Sequence, residues 1–450
     1  MFRRVLVANR GEVAARVMRT CDRMGIETVA VYSEADKDLA VLGAATESVC
    51  IGGTKSYLDQ DAILLAGETT RCSAVHPGWG FLSENPTFAA RCEASRMTFV
   101  GPRANTMRRM ANKAAARDTM RTLGVSPTPG SDGVVATVDD AIQTAEQIGY
   151  PILLKALSGG GGRGMRKVMG PDEMAAAFAE ATAEAAGAFG DGRLYLEKLI
   201  VSGRHIEFQL LGDGKDVVVL GARECSVQRR HQKLLEETPS TALDDDGVRQ
   251  LADRIASACR TFGYRGAGTM EMLRDDDGSI YFMEMNTRLQ VEHTVTEMVT
   301  GMDLVEAQLR LAANQSLERA CEASRVGDAQ GGHSIQCRIN AEDPAHGFRP
   351  SPGQLRTLRW PEGDGLRVDT HLCEGDRMSP HYDSMLGKVI AHGADRAEAI
   401  ARMTAGLKAL KIEGVLTTVP FHLAVLAHPE FVSGNYDTRF VERELETLLA

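Results

Sequence analysis

The sequence predicts a mixed α/β (α+β) protein of two or three domains, and three features carry that prediction. Residues 3–33, RRVLVANRGEVAARVMRTCDRMGIETVAVYS, hold an apolar run at 5–8, then Ala14, Val17, Met18, Cys21 and Met24 at helical spacing. Gly25 stops that helix, and a second apolar run follows at 28–32. A strand, a helix and a strand in that order make a βαβ unit and imply a parallel sheet at the N-terminus. The second feature is GVSPTPGSDG (124–133), a Pro/Gly/Ser-rich loop of the kind that separates domains. The third is a C-terminal third rich in short strands and turns, with RPSPGQ and SPHYDSMLGKVIA as its markers.

At 450 residues, 43% hydrophobic and 25% charged, the chain can bury several cores and is not a disordered or fibrous sequence. The formal net charge of -10 opposes nucleic-acid binding, which draws its affinity from a basic surface. Any anionic ligand must meet a local cationic pocket. Nine cysteines without a C-x-x-C pair speak against a zinc site and a disulfide framework, and are expected as reduced thiols. The first apolar run is too short for a signal peptide, and no later one spans a bilayer. The expectation is a soluble cytoplasmic protein with no membrane or nucleic-acid partner.

The N-terminal unit is Rossmann-like, yet its strand-to-helix turn has a single glycine and no G-x-G-x-x-G, so no dinucleotide is expected. Strand and helix alternation continues through SAVHPGWGFLSEN to MTFVGP, where Gly101-Pro102 makes a break. SGGGGRGM (158–165) follows an apolar strand at 150–157 and precedes another at 165–169. Without a terminal G-K-[ST] this is no P-loop. It reads as a glycine hairpin, either a plain surface turn or a flap whose backbone N–H groups meet phosphate. Lys155, at the end of ILLK, places an ammonium beside it.

QRRHQK (228–233) reads as a solvated charge run or as a polyphosphate or bicarbonate site. In EMNTRLQVE (284–292), Glu284, Asn286, Arg288, Gln290 and Glu292 alternate with Met285, Thr287, Leu289 and Val291. On an extended strand all five polar groups would share one face. GTMEML and SIYFMEMN flank a DDDG turn, so a hairpin brings Glu271 and Glu284 together on a face that Ile280 and Phe282 are expected to share. Two adjacent carboxylates repel unless a cation lies between them, and with phosphate oxygens and water they suit Mg²⁺. SIQCRIN repeats the alternation and offers Arg338 in a second polar row.

Taken in order, VANRGE, HPGWGFLSEN, SGGGGRGM, RRHQK, EMNTRLQVEHTVTEM and CRINAEDP resemble the biotin carboxylase family of ATP-grasp enzymes along essentially the whole chain. The resemblance implies a Rossmann-like domain at 1–112, an ATP-grasp domain at 113–330 with a glycine-rich lid at about 130–203, and a β-rich C-terminal domain at 331–450. It implies that ATP phosphorylates bicarbonate to carboxyphosphate, which yields CO2 and phosphate, and that N1 of biotin is then carboxylated. By the same resemblance Lys113, Lys155, Gly161, Gly162, Glu197, Lys198, Leu199, Ile200, His205, Gln228 and His231 bind ATP, and Glu271, Glu284 and Asn286 hold Mg²⁺ (or Mn²⁺). Arg288, Gln290, Val291 and Lys233 hold bicarbonate, Glu292 is the base, and Arg338 stabilises the biotin enolate. A homodimer is implied as well.

Four residues depart from the family's usual pattern: Trp79, Thr294, Val41 and Gly43. None removes a reactive group. No Met-Lys-Met biotinylation signature occurs, so biotin is expected on a separate carrier protein, with a separate carboxyltransferase as the onward partner and an acyl-CoA as the final acceptor. Another ATP-grasp ligase would share Glu271 and Glu284 but not Arg288, Glu292 and Arg338. A silent nucleotide-binding subunit would have lost charged site residues, which this chain retains.

Overall fold

The computed structural model describes every residue except 158–163, 328–330 and 450, together with the side chains of 113 and 114. The first sheet is parallel throughout, built from β1 (Arg4–Val7), β2 (Glu27–Tyr32), β3 (Glu47–Cys50), β4 (Ala74–His76) and β5 (Thr98–Phe99) in the order β3-β2-β1-β4-β5. The helix Gly11–Arg23 follows β1 and buries Val13, Ala14, Val17, Met18 and Cys21, the stripe its spacing implies. Gly25, at φ +66°, ends that helical segment in the left-handed conformation that glycine adopts without steric cost.

A small second sheet comprises β6 (Ile152–Ala156), β7 (Met165–Val168) and β8 (Leu194–Lys198), in the order β7-β6-β8. β6 and β7 pair antiparallel from Ile152↔Val168 to Lys155↔Met165, so the strands flanking the glycine run do form a hairpin pair. The run itself, with Gly161 and Gly162, lies outside the described residues. Helices Val138–Ile148 and Pro171–Phe189 share a core with this sheet, through Ala141, Ala145, Ala181 and Ala185 against Ile152 and Leu154.

The third sheet is antiparallel and eight-stranded. Its first strands are β9 (Arg204–Asp213), β10 (Val217–Arg229), β11 (Gln232–Thr238), β12 (Arg265–Arg274), β13 (Ile280–Asn286) and β14 (His333–Asn340). The order is β13-β12-β9-β10-β11-β14, continued by Met385–Gly393 and Leu366–Thr370. Hydrogen bonding thus runs unbroken across the expected boundary at 330/331. On one side Ile206, Phe208, Leu210, Met270, Met272, Phe282 and Met285 pack on the helix Asp245–Thr261. Beyond β11 the core is formed by Ile335, Cys337, Ile339, Val389 and Ala391.

The C-terminal region has the expected short strands but also four helices that the turn-rich sequence did not signal, Arg396–Ala409, Val419–Ala427, Pro429–Ser433 and Phe440–Leu449. All nine cysteines are free. Among the described residues no helix is long and apolar enough to cross a membrane.

Candidate active site

Cross-strand register builds the site. Arg223 on β10 faces Glu207 on β9, Glu207 faces Glu271 on β12, and Glu271 faces Glu284 on β13. Directly opposed residues share a sheet face, so one cation and three carboxylates form a row across four strands. The apolar residues alternating with them, Ile206, Phe208, Met270 and Met272, point to the core on the other side.

The pairing of Glu271 with Glu284 is therefore as the hairpin predicts, with one correction. The register shifts between Glu271↔Glu284 and Met272↔Phe282, leaving Met283 as an extra residue on β13. That bulge reverses the parity, so Phe282 sits in the core with Met285 and does not share the face of Glu284.

A second correction concerns the polar row beyond β13. The strand ends at Asn286; Arg288 and Gln290 lie in irregular backbone, and Glu292 ends a turn that leads into the helix His293–Thr300. Asn286, Arg288, Gln290 and Glu292 still converge, through hydrogen bonds instead of strand alternation, while Glu284 is placed by register opposite Glu271. Arg288 donates to Gln290 Oε1 at 2.8 Å, Asn286 Oδ1 at 3.1 Å and Glu84 Oε2 at 2.9 Å. Asn286 and Gln290 in turn donate to Glu271 Oε1 at 2.8 and 3.1 Å.

Lys233 is the hub. Its ammonium donates to Glu207 Oε2 at 2.6 Å, Glu271 Oε1 at 2.9 Å and Glu292 Oε1 at 2.7 Å. Glu292, fully buried, takes Arg338 on its other oxygen at 3.0 Å, and Arg338 also donates to Glu236 at 2.6 Å. Burial alone would raise the pKa of Glu292, but Lys233, Arg338 and Arg223 outweigh it and hold this carboxyl well below its ordinary range. Glu271 is depressed in the same way, by Lys233 and His205 against burial. Burial lowers Lys233, yet its three carboxylates push it well above the usual lysine value, and the His205 imidazole is raised by Glu271. Glu271, Glu292 and Lys233 are thereby held in their charged forms.

Of the residues assigned to ATP, Lys155 lies on β6, Glu197 and Lys198 on β8 with Leu199 and Ile200 just beyond it, His205 on β9, and Gln228 and His231 on the β10–β11 hairpin. Glu197 is buried and ion-paired with both Lys155 and Arg117. Lys198 donates its ammonium to the Gly149 and Tyr150 carbonyls at 2.9 Å each, while Leu199 donates its N–H to Pro151. Ile200 and Gln228 are buried. Arg230 and His231 form the two-residue turn between β10 and β11, with φ of 49° and 65°. Both being positive, this is the turn geometry that suits the twist of a tight hairpin, and it places His231 at an exposed tip. Partial desolvation, Lys167 and Lys155 lower the pKa of that imidazole. Lys113 opens the helix Lys113–Thr122.

The donor set at Glu271, Glu284 and Asn286 fits a hard divalent cation: oxygen ligands only, two carboxylates directly opposed, and Glu284 exposed on the open side. Two other clusters, His205 with Glu207 and Glu271, and Cys225 with Glu207 and Glu292, also bring ligand atoms close. In both, every carboxylate is bonded to Lys233, whereas the edge pair adds to Glu271, which also bonds Lys233, the exposed carboxylate of Glu284, and this makes it the better cation site. A cavity of about 660 Å³ lined by Arg16, Arg19, Arg367 and Asp369 shares none of these residues.

Sequence reading passed over Glu84, Glu207, Arg223 and Glu236. The signal for Glu207 was present: His205, Glu207 and Gln209 alternate with Ile206, Phe208 and Leu210 in RHIEFQLL, the same alternation that marks the row from Glu284 to Glu292. Of the departures, Trp79 donates its indole N–H to Glu12 at 3.1 Å, and the Thr294 hydroxyl donates to Gln336. Val41 packs on the N-terminal core and Gly43 is exposed.

A sheet-borne row of carboxylates and cations that ends in a carboxylate pair fit for Mg²⁺ suits an ATP-dependent carboxylate-activating enzyme. Residues 112–320 match the carbamoyl-phosphate synthase L chain, ATP binding domain, between a biotin carboxylase N-terminal domain at 1–107 and a biotin carboxylase C-terminal domain at 336–443. The chain belongs to the biotin carboxylase family. It is 47% identical to a biotin carboxylase of Nostoc sp. (98% of this chain, 99% of that one) and 47% identical to biotin carboxylase 1 of Bacillus subtilis (98% of each). The Campylobacter jejuni biotin carboxylase in complex with β-γ-ATP superposes with a TM-score of 0.94 at 44% identity, over 98% of this chain and 99% of that one. The biotin carboxylase domain dimer of Hydrogenobacter thermophilus 2-oxoglutarate carboxylase, with MgADP, ADP and bicarbonate, gives 0.94 at 42% identity, over 100% and 99%.

Proposed function

We propose that this protein carboxylates biotin at the expense of MgATP and bicarbonate, through carboxyphosphate, with the residue roles set out here. The observation that carries the reading is the placement of Glu292: a buried, ionised carboxylate held between Lys233 and Arg338, with the Arg288 fork on the same loop. Bicarbonate binds against Arg288, Gln290, Lys233 and the Val291 backbone. Glu292 takes its proton, and the oxygen so freed attacks the γ-phosphorus of ATP as ADP leaves. Orientation by a rigid guanidinium and a preorganised cationic surround supply most of the acceleration.

Glu271, Glu284 and Asn286 would hold the Mg²⁺ (or Mn²⁺) that accompanies ATP, which would supply positive charge at the phosphate oxygens. Lys155, His205, Gln228 and His231 bind the nucleotide, and exclusion of water from the site keeps carboxyphosphate from hydrolysis. Carboxyphosphate then releases CO2 and phosphate. The N1 proton of biotin passes to the phosphate formed in the site as Arg338 steadies the developing enolate, and N1 bonds to CO2.

Biotin arrives on a separate carrier protein and leaves toward a separate carboxyltransferase, and the enzyme works as a homodimer in the cytoplasm. Its expected place is an acyl-CoA carboxylase, although solved relatives include domains of 2-oxoglutarate and pyruvate carboxylases. The test is ADP release, which should require bicarbonate and rise on adding free biotin. ADP release indifferent to bicarbonate would overturn the proposal.

A further inference from the structure

Lys388 on the strand Met385–Gly393 is fully buried, an unusual place for a lysine. Register sets it opposite Arg338 on one side and Asp369 on the other, so it lies on the face that carries the site. Its ammonium donates to the main-chain carbonyl of Val291 at 2.8 Å and lies 3.2 Å from Glu12 Oε2. Glu12, itself buried in the first helix, accepts the Trp79 indole N–H on its other oxygen. A connected chain thus runs from the N-terminal domain to the residue immediately before Glu292.

The helix that starts at His293 has no side-chain cap; its first turn holds the Gln290 carbonyl through His293 Nδ1 at 2.7 Å and the Glu292 carbonyl through the Val295 N–H at 3.3 Å, and Lys388 holds the Val291 carbonyl between them. We propose that Lys388 is a positioning residue for the base: it clamps the Val291 carbonyl, and through Glu12 and Trp79 anchors the Gln290–Glu292 turn to the N-terminal domain. A charged donor suits this task because its hydrogen bond to a carbonyl is shorter and stronger than a neutral one. The inference rests on Glu292 as the base. The plain alternative is a buried ion pair that only joins domains.

The two are separated by a charge-neutral pair of substitutions. Lys388→Met alone leaves Glu12 buried and unpaired and is expected to lower the melting temperature, whichever role Lys388 has. Lys388→Met with Glu12→Gln removes both charges, retains their volume and keeps an acceptor for Trp79. Measured against Glu12→Gln alone, the double variant should recover its melting temperature and its KM for MgATP. Its kcat for bicarbonate-dependent ADP release should nevertheless stay about 10²-fold lower, the loss that a misplacement of about 1 Å brings to an oriented group. A double variant with the kcat of Glu12→Gln would overturn the positioning role. A wild-type enzyme without bicarbonate-dependent ADP release would instead overturn the function itself.

Discussion

Lys233→Met tests the electrostatics of the site most severely. A protonated lysine has three N–H donors, and here each goes to a different carboxylate, at 2.6, 2.9 and 2.7 Å. Methionine retains most of the stem and removes the charge. Glu207 keeps Arg223, Glu271 keeps His205 and Glu292 keeps Arg338. None of these replaces the shared ammonium. Leaving a buried carboxylate with no partner typically costs about 3–5 kcal/mol; the cation that remains at each carboxylate holds the loss below that, and a drop in melting temperature at neutral pH is still expected. The same change moves the base. Because the carboxyl of Glu292 is depressed in the folded protein, its ion pairs stabilise the fold above the ordinary carboxylate pKa and that stability is lost as pH falls through the depressed value. Without Lys233, burial is opposed only by Arg338 and Arg223, and the pKa rises. Each unit of that rise corresponds to about 1.4 kcal/mol. The acid limb of the pH profile for bicarbonate-dependent ADP release should therefore move to higher pH, measured on variant and wild type in one buffer series. A superimposable profile with an unchanged melting temperature would refute the hub.

Glu271→Gln and Glu284→Gln should each cripple turnover while the fold survives, with partial rescue at high Mg²⁺; wild-type rates at ordinary Mg²⁺ in both would remove the cation site from this edge. Arg288→Ala should depress ADP release and biotin carboxylation together. Arg338→Ala should cut biotin carboxylation by ~10²–10³, the usual effect of losing a preorganised donor, and ADP release by less. Some loss of ADP release is expected because Arg338 also touches Glu292, at 3.0 Å. Equal factors for both activities would end the division of labour between the two arginines.

What the sequence disclosed, it disclosed through periodicity and turn chemistry. The βαβ start, the strands flanking the glycine run and the β12–β13 hairpin all follow from apolar spacing and Gly or Asp turns; the hairpin brings Glu271 and Glu284 near each other, and the bulge at Met283 sets them directly opposed. What stayed hidden depends on backbone irregularity or on contacts across long stretches of chain. Alternation in EMNTRLQVE persists past the end of β13, because nothing local marks Asn286 as the last strand residue or Met283 as a bulge. Glu84 reaches Arg288, and Lys388 reaches Val291, only through tertiary packing. The continuity of the large sheet through β14 was equally illegible, since the pairing of β11 with β14 joins residues about a hundred positions apart.

The central claim is that bicarbonate is activated by phosphoryl transfer to one of its own oxygens. Bicarbonate labelled with heavy oxygen, supplied with MgATP and biotin, puts this to a direct test by mass analysis of the phosphate released. Transfer through carboxyphosphate requires each phosphate to carry one bicarbonate oxygen. Phosphate bearing oxygen from water alone, while carboxybiotin still forms, would contradict the mechanism.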